Sequence, residues 1–266
     1  MFSLELRNLL DSLVDKYNRT DFIENDPISI PHLFTKKQDI EIAAFFAAIF
    51  SWGQRKTIIN KSKELLARMD MSPYEFVLGH SELDLKKIMG FKHRTFNDSD
   101  ALYFIYFLKL HYQQHESLEE AFLLENIVNQ PTIEQHLIYF KEYFFRSNES
   151  LDRTKKHISS PISNSTCKRL CMFLRWLVRD DDKGVDFGLW KNIKAKQLVC
   201  PVDVHVHKTS VQLGLIKFEN VTWNTALELT KVLTLFDSED PVKYDFALFG
   251  LGIEQRDLFN NKTIYF

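Results

Sequence analysis

Leu6, Leu9, Leu10, Leu13, Val14 and Tyr17 recur at the three- and four-residue spacing of one helix face, so an amphipathic helix is expected at the start of the chain. Asp26-Pro27 and Pro31 then interrupt the pattern with a loop. From Lys37 the periodicity changes character. Ile40, Ala43, Ala44, Ala47 and Ile49 continue a helix with almost no polar residue after Glu41, and a helix that is apolar all round belongs at the centre of a lobe. It ends at Phe50-Ser51-Trp52-Gly53-Gln54-Arg55-Lys56, where the next helix begins.

Short helices are predicted over residues 54–69, 73–79 and 82–89, with Gly79 and Gly90 as stops. Asp98 opens an aromatic helix through Leu102, Tyr103, Ile105, Tyr106, Leu108 and Leu110. Ser117-Leu118-Glu119-Glu120 has the form of a capping-box start, and Pro131 begins a helix ending near Phe145. Residues 146–164 are polar and read as the one extended loop. Beyond it, Leu170, Phe173, Leu174, Leu177 and Val178 form an apolar stripe, with Asn164 or Ser165 as the expected N-cap and Lys168 in the first turn. A loop and short helix follow over 180–190. Val202, Val206 and Leu213 then keep helical spacing behind Asp203, a good N-cap, and Gly214 sits where a left-handed C-terminal cap would. A helix at 222–235 precedes Asp240-Pro241, the N-cap and first position of a last helix that stops at Gly250 or Gly252.

Composition agrees with this reading. Only 8 Gly and 7 Pro in 266 residues leave few turn-formers, which points to an all-α fold of long helices. The 23 Phe can fill a sizeable core, and the length suits two lobes sharing a cleft. Cys167, Cys171 and Cys200 follow no disulfide framework, which suggests a reducing, cytoplasmic setting. The first residues mix charges among leucines, unlike a signal peptide, and no run of about 18 apolar residues could span a membrane. A monomer without a cofactor is expected.

Net charge is −2, but it is unevenly spread. Residues 151–210 carry 12 Lys+Arg against 6 Asp+Glu, so this segment is +6 and the rest of the chain −8. A local basic face on an otherwise acidic chain suits contact with phosphates, with Arg153, Lys155 and Lys156 as candidates. Lys168 is unfavourable at a helix N-terminus, whose field favours the neutral amine that a nucleophile needs. Cys200, Asp203, His205 and His207 are an alternative metal-ligand set, although histidines two apart on a helix point to different faces.

The run Pro201-Val202-Asp203-Val204-His205-Val206 resembles the block that closes the active site in the helix-hairpin-helix DNA glycosylases, the superfamily of endonuclease III and the archaeal 8-oxoguanine glycosylases. A bacterial family labelled as a domain of unknown function is more similar still, in the runs around Ser51-Trp52-Gly53, Lys168-Arg169-Leu170 and Asp203. The resemblance implies a two-lobed helical fold, with a middle lobe near 37–195 and a terminal lobe of 1–36 plus 196–266. It also implies a base-excision glycosylase acting on double-stranded DNA. Lys168 would attack the sugar C1′, Asp203 would assist, and the resulting Schiff base would cut the strand as a lyase does. Ser163, Asn164, Ser165, Arg169, His205 and His207 would contact DNA. The matching register puts Gly53 or Gln54 at the space left by a flipped base, and Trp52, Trp190 and Trp223 are candidates to stack on that base, 8-oxoguanine being the lesion that analogy suggests.

Two departures stand out. Ser163-Asn164-Ser165 replaces the usual glycine-rich hairpin, and the lysine and aspartate are 35 residues apart, longer than in endonuclease III. The four-cysteine iron–sulfur motif is also absent from the chain. The altered hairpin supports an alternative, a helical DNA-binding or scaffold protein that kept the fold and lost the chemistry.

Overall fold

A computed structural model describes residues 4–217 and 220–261, with side chains described as far as Ile253. The helices in chain order are α1 (Leu4–Tyr17), α2 (Lys37–Phe50), α3 (Arg55–Arg68), α4 (Pro73–Gly79) and α5 (Glu82–Lys86). A two-stranded antiparallel hairpin, β1 (Lys92–His93) and β2 (Phe96–Asn97), comes next. Then follow α6 (Asp98–Tyr112), α7 (Glu134–Phe144), α8 (Lys168–Val178), α9 (Val204–Gln212), α10 (Trp223–Thr234) and α11 (Tyr244–Asn261). The fold is all-α, with the hairpin as the sheet among the described residues. No described helix is long and apolar enough to cross a membrane.

The chain divides into two compact units. One comprises the described residues of Met1–Phe22, Pro161–Gly188 and Lys194–Phe266; the other is Ile23–Ser160 with Leu189–Ile193. Residues 161–188 therefore go with the chain ends, whereas the sequence reading assigned them to the middle lobe.

In the middle unit α2 is the central helix, as its all-round apolar surface predicts. From Ile42 to Phe50 no side chain is more than 1 % exposed. Phe45 stacks on Phe104 of α6, and Phe104 meets Phe144 of α7 edge-on. Glu41 is the one acid in this helix core, and it is fully satisfied. Tyr112 Oη (2.8 Å), Ser117 Oγ (2.5 Å), Leu118 N (3.1 Å) and Trp190 Nε1 (2.7 Å) all donate to its carboxylate. Asp100 is a second buried acid. It completes a capping box with Asn97 at the start of α6, and it receives Arg153 Nη1 at 2.6 Å and Thr154 Oγ1 at 2.7 Å.

In the terminal unit α11 packs beside α1. Phe22 meets Phe246 edge-on, and Tyr244 Oη donates to Asp11 at 2.9 Å. Helix α11 does not stop at Gly250 or Gly252. A Cβ on Gly250 would come within 2.3 Å of the Tyr17 ring, so this glycine serves close helix approach rather than termination. The segment 180–190 also differs, forming turns without a helix. Asp186 in it ties Arg179 at 2.6 Å, and Arg175 Nη1 reaches Asp245 of α11 at 2.5 Å. The buried Arg175–Asp245 pair ties α8 to α11.

Candidate active site

The N-termini of α8 and α9 bring Lys168 and Asp203 together. Asp203 caps α9 as its position predicts. Its Oδ1 accepts the backbone N–H of His205 at 2.9 Å and of Val206 at 3.0 Å. Its Oδ2 stands 3.6 Å from Lys168 Nζ, with the side chains 28 % and 25 % exposed, respectively. That distance is an ion pair rather than a hydrogen bond, so the amine is held near the carboxylate but not locked to it. Lys168 is the first residue of α8, so two positive helix ends meet at the pair.

The N-cap of α8 is Cys167, not Asn164 or Ser165. Cys167 adopts a left-handed backbone (φ 50°, ψ 28°) and makes no side-chain cap bond; Ser165 Oγ instead accepts the Cys167 N–H at 3.2 Å. Asn164 is also left-handed, with φ 55°. Asparagine tolerates this conformation better than most residues, so the chain turns here without a glycine. Asn164 O accepts the backbone N–H of Trp223 at 3.4 Å, which fastens this turn to α10.

The other expected DNA contacts fall in different settings. Ser163, Asn164 and His205 are exposed, while Ser165, Arg169 and His207 are half-buried. Trp52 and Gln54 belong to the middle unit and are exposed there, Gln54 as N-cap of α3 without a side-chain cap bond. Trp190 is buried against Glu41, and Trp223 is 3 % exposed, so neither offers a ring face for stacking. Arg153 is not free to meet phosphate. Its guanidinium is spent on Asn97, Asp100 and the Thr95 carbonyl.

Asp245 is the residue that sequence patterning passed over. It is buried on α11, and burial pushes its carboxyl up to about 6 even though Arg175 pulls it down. Lys168 lowers it further and Asp203 raises it, so its field reaches the pair. The available signal was a lone acid in the apolar run Tyr244-Asp245-Phe246-Ala247-Leu248. Burial also pushes the Cys171 and Cys200 thiols well above their usual range. No group of three His, Cys, Asp or Glu side chains fit to hold a metal ion occurs among the described residues.

A family model described as a protein of unknown function (DUF2400) matches residues 26–254. No curated protein and no solved structure matches the chain.

Proposed function

The chain belongs to the DUF2400 family, and because that family carries no activity to inherit, we propose from the Lys168–Asp203 geometry that it is a DNA base-excision glycosylase with lyase activity. The observation that carries this reading is an amine and a carboxylate 3.6 Å apart, both partly open to solvent, at two meeting helix N-termini. Each feature serves the chemistry. The helix ends attract a DNA phosphate beside the pair. The substrate is a duplex from which a damaged base has been flipped, at an unstacking cost of about a few kcal/mol.

The Lys168 ammonium first gives up a proton to solvent, and the freed lone pair of Nζ then attacks C1′ of the flipped nucleotide. The C1′–base bond breaks, and the base leaves with the bonding electrons and takes a proton. Asp203 stabilises the positive charge that develops on the sugar and receives the proton lost from the attacking amine. Opening of the sugar ring leaves an iminium between Nζ and C1′. Loss of a C2′ proton then expels the 3′ phosphate, which cuts the strand.

Borohydride tests this directly, because it reduces the imine to a stable amine and leaves protein and DNA joined. Duplexes carrying 8-oxoguanine or an abasic site should give a crosslinked band. Lys168→Gln should abolish it. A band that persists in Lys168→Gln at the wild-type rate would refute the assignment and favour the non-catalytic DNA-binding scaffold.

A further inference from the structure

In the middle unit, the turn after α2 and the tip of the β1–β2 hairpin are built around one exposed side-chain pair. The Arg94 guanidinium lies 4.2 Å from the centroid of the Trp52 ring, and Trp52 is 39 % exposed. Three backbone features serve this stack. Arg94 takes φ 55° at the first position of a two-residue turn between the paired His93 and Phe96, where a positive φ favours glycine. Gly53 has φ 114°, and a Cβ on it would stand 2.6 Å from Arg94 Nη1. Arg153 Nη2 donates to the Thr95 carbonyl at 3.0 Å and Nη1 to Asn97 Oδ1 at 2.6 Å, which fastens the tip. The positive φ that the hairpin turn requires at Arg94 and the missing Cβ at Gly53 together leave a cation lying on a solvent-facing ring.

Exposed lysines stand on the chain segments that carry or anchor this pair. Lys56 lies in the first turn of α3, just past Trp52, in a turn that has no acidic residue. Lys92 is on β1, and Lys155 and Lys156 are on the 3-10 turn that carries Arg153. All four lysines are exposed. The acid on that turn, Asp152, pairs with Lys155 at 2.7 Å. Lys56, Lys92, Arg94 and Lys156 enter no ion pair among the described residues, so their charge is open to a partner.

We propose that this surface docks the sugar–phosphate backbone of a single nucleic-acid strand, with phosphates on Arg94, Lys56, Lys92 and Lys156 and an unpaired base against Trp52. Regularly spaced phosphates suit cations set apart on three chain segments, and a base supplies the flat partner that an exposed indole takes. An acidic peptide would match the charge but leave the indole unused. The surface lies in a different unit from Lys168, and the inference does not depend on the chemistry proposed there.

The test uses the full chain carrying Lys168→Gln, so that covalent capture cannot contribute, and a fluorescein-labelled thymine dodecamer. Affinity should fall with salt, and Arg94→Gly should weaken binding by about tenfold while making the log–log salt slope shallower by about 0.7, the loss of one phosphate contact. Glycine takes the positive φ at position 94 readily, so this variant keeps the turn. Adding Lys56→Gln and Lys156→Gln should flatten the slope further. Wild-type affinity and slope in Arg94→Gly would overturn the proposal. So would competition by polyglutamate or phosphatidylserine vesicles as strong as that of the unlabelled oligonucleotide. Absence of a borohydride crosslink in the parent chain would refute the lyase and leave this result standing.

Discussion

The two carboxylate oxygens of Asp203 do different things, and two substitutions separate them. Oδ1 caps α9 through the His205 and Val206 N–H groups, and Oδ2 faces Lys168 at 3.6 Å. Asp203→Asn keeps an oxygen for the cap and removes only the charge. The pair is about a quarter exposed, so its loss should cost no more than about 0.5 kcal/mol. Asp203→Ala removes the cap as well, which adds about 1 kcal/mol. For a chain of this size 1 kcal/mol moves the melting midpoint by about 2–4 °C. Thermal melts should therefore place Asp203→Asn within about 2 °C of wild type and Asp203→Ala about 3–6 °C below it.

Activity should rank otherwise. Single-turnover crosslinking on a damaged base should fall about 100-fold or more in both variants, because removing an electrostatic partner of the transition state costs roughly that much. On an abasic site, where the base has already gone, the loss should be smaller. Wild-type crosslinking by Asp203→Asn would show that Asp203 is only a helix cap, and the catalytic reading would fall.

Other outcomes check the architecture. Gly250→Ala would gain about 1 kcal/mol from helix propensity alone, yet its Cβ would meet the Tyr17 ring at 2.2 Å; overpacking at that distance should win and lower the melting midpoint. Glu41→Ala leaves four buried donors without their acceptor and should cost about 3–5 kcal/mol by urea titration, with Glu41→Gln milder. Burial works to raise the Asp100 carboxyl, but His157, the Asn97 N–H and Thr154 prevail and hold it at about 2, below its ordinary 3.8. The native state therefore binds this proton less readily than the unfolded chain. The stabilisation is complete above pH 3.8 and is lost as pH falls through about 2, amounting to about 2 kcal/mol. Acid titration of Asp100→Asn should lack that component.

What the sequence by itself determined is what acts within a turn or two of chain. The apolar run from Ile42 to Phe50 marked a buried central helix, and Asp203 announced its capping role, because periodicity and capping depend on neighbours a few residues away. Lys168 and Asp203 could be singled out, but not their 3.6 Å approach, since 35 residues lie between them and only the packing of α8, α9 and α11 closes that gap. The same limit explains the differences. Gly250 looks like a helix stop until Tyr17 from the other end of the chain is seen against it. Trp190 looks like a stacking surface until Glu41, 149 residues away, claims its N–H. Arg153 looks like a free phosphate contact until Asp100 is found beneath it. Asp245 gains its raised proton affinity from burial, against the opposing pull of Arg175, and no local pattern encodes that burial. A side chain's partner is settled by which surfaces the core brings together, and that is a property of the whole packed chain.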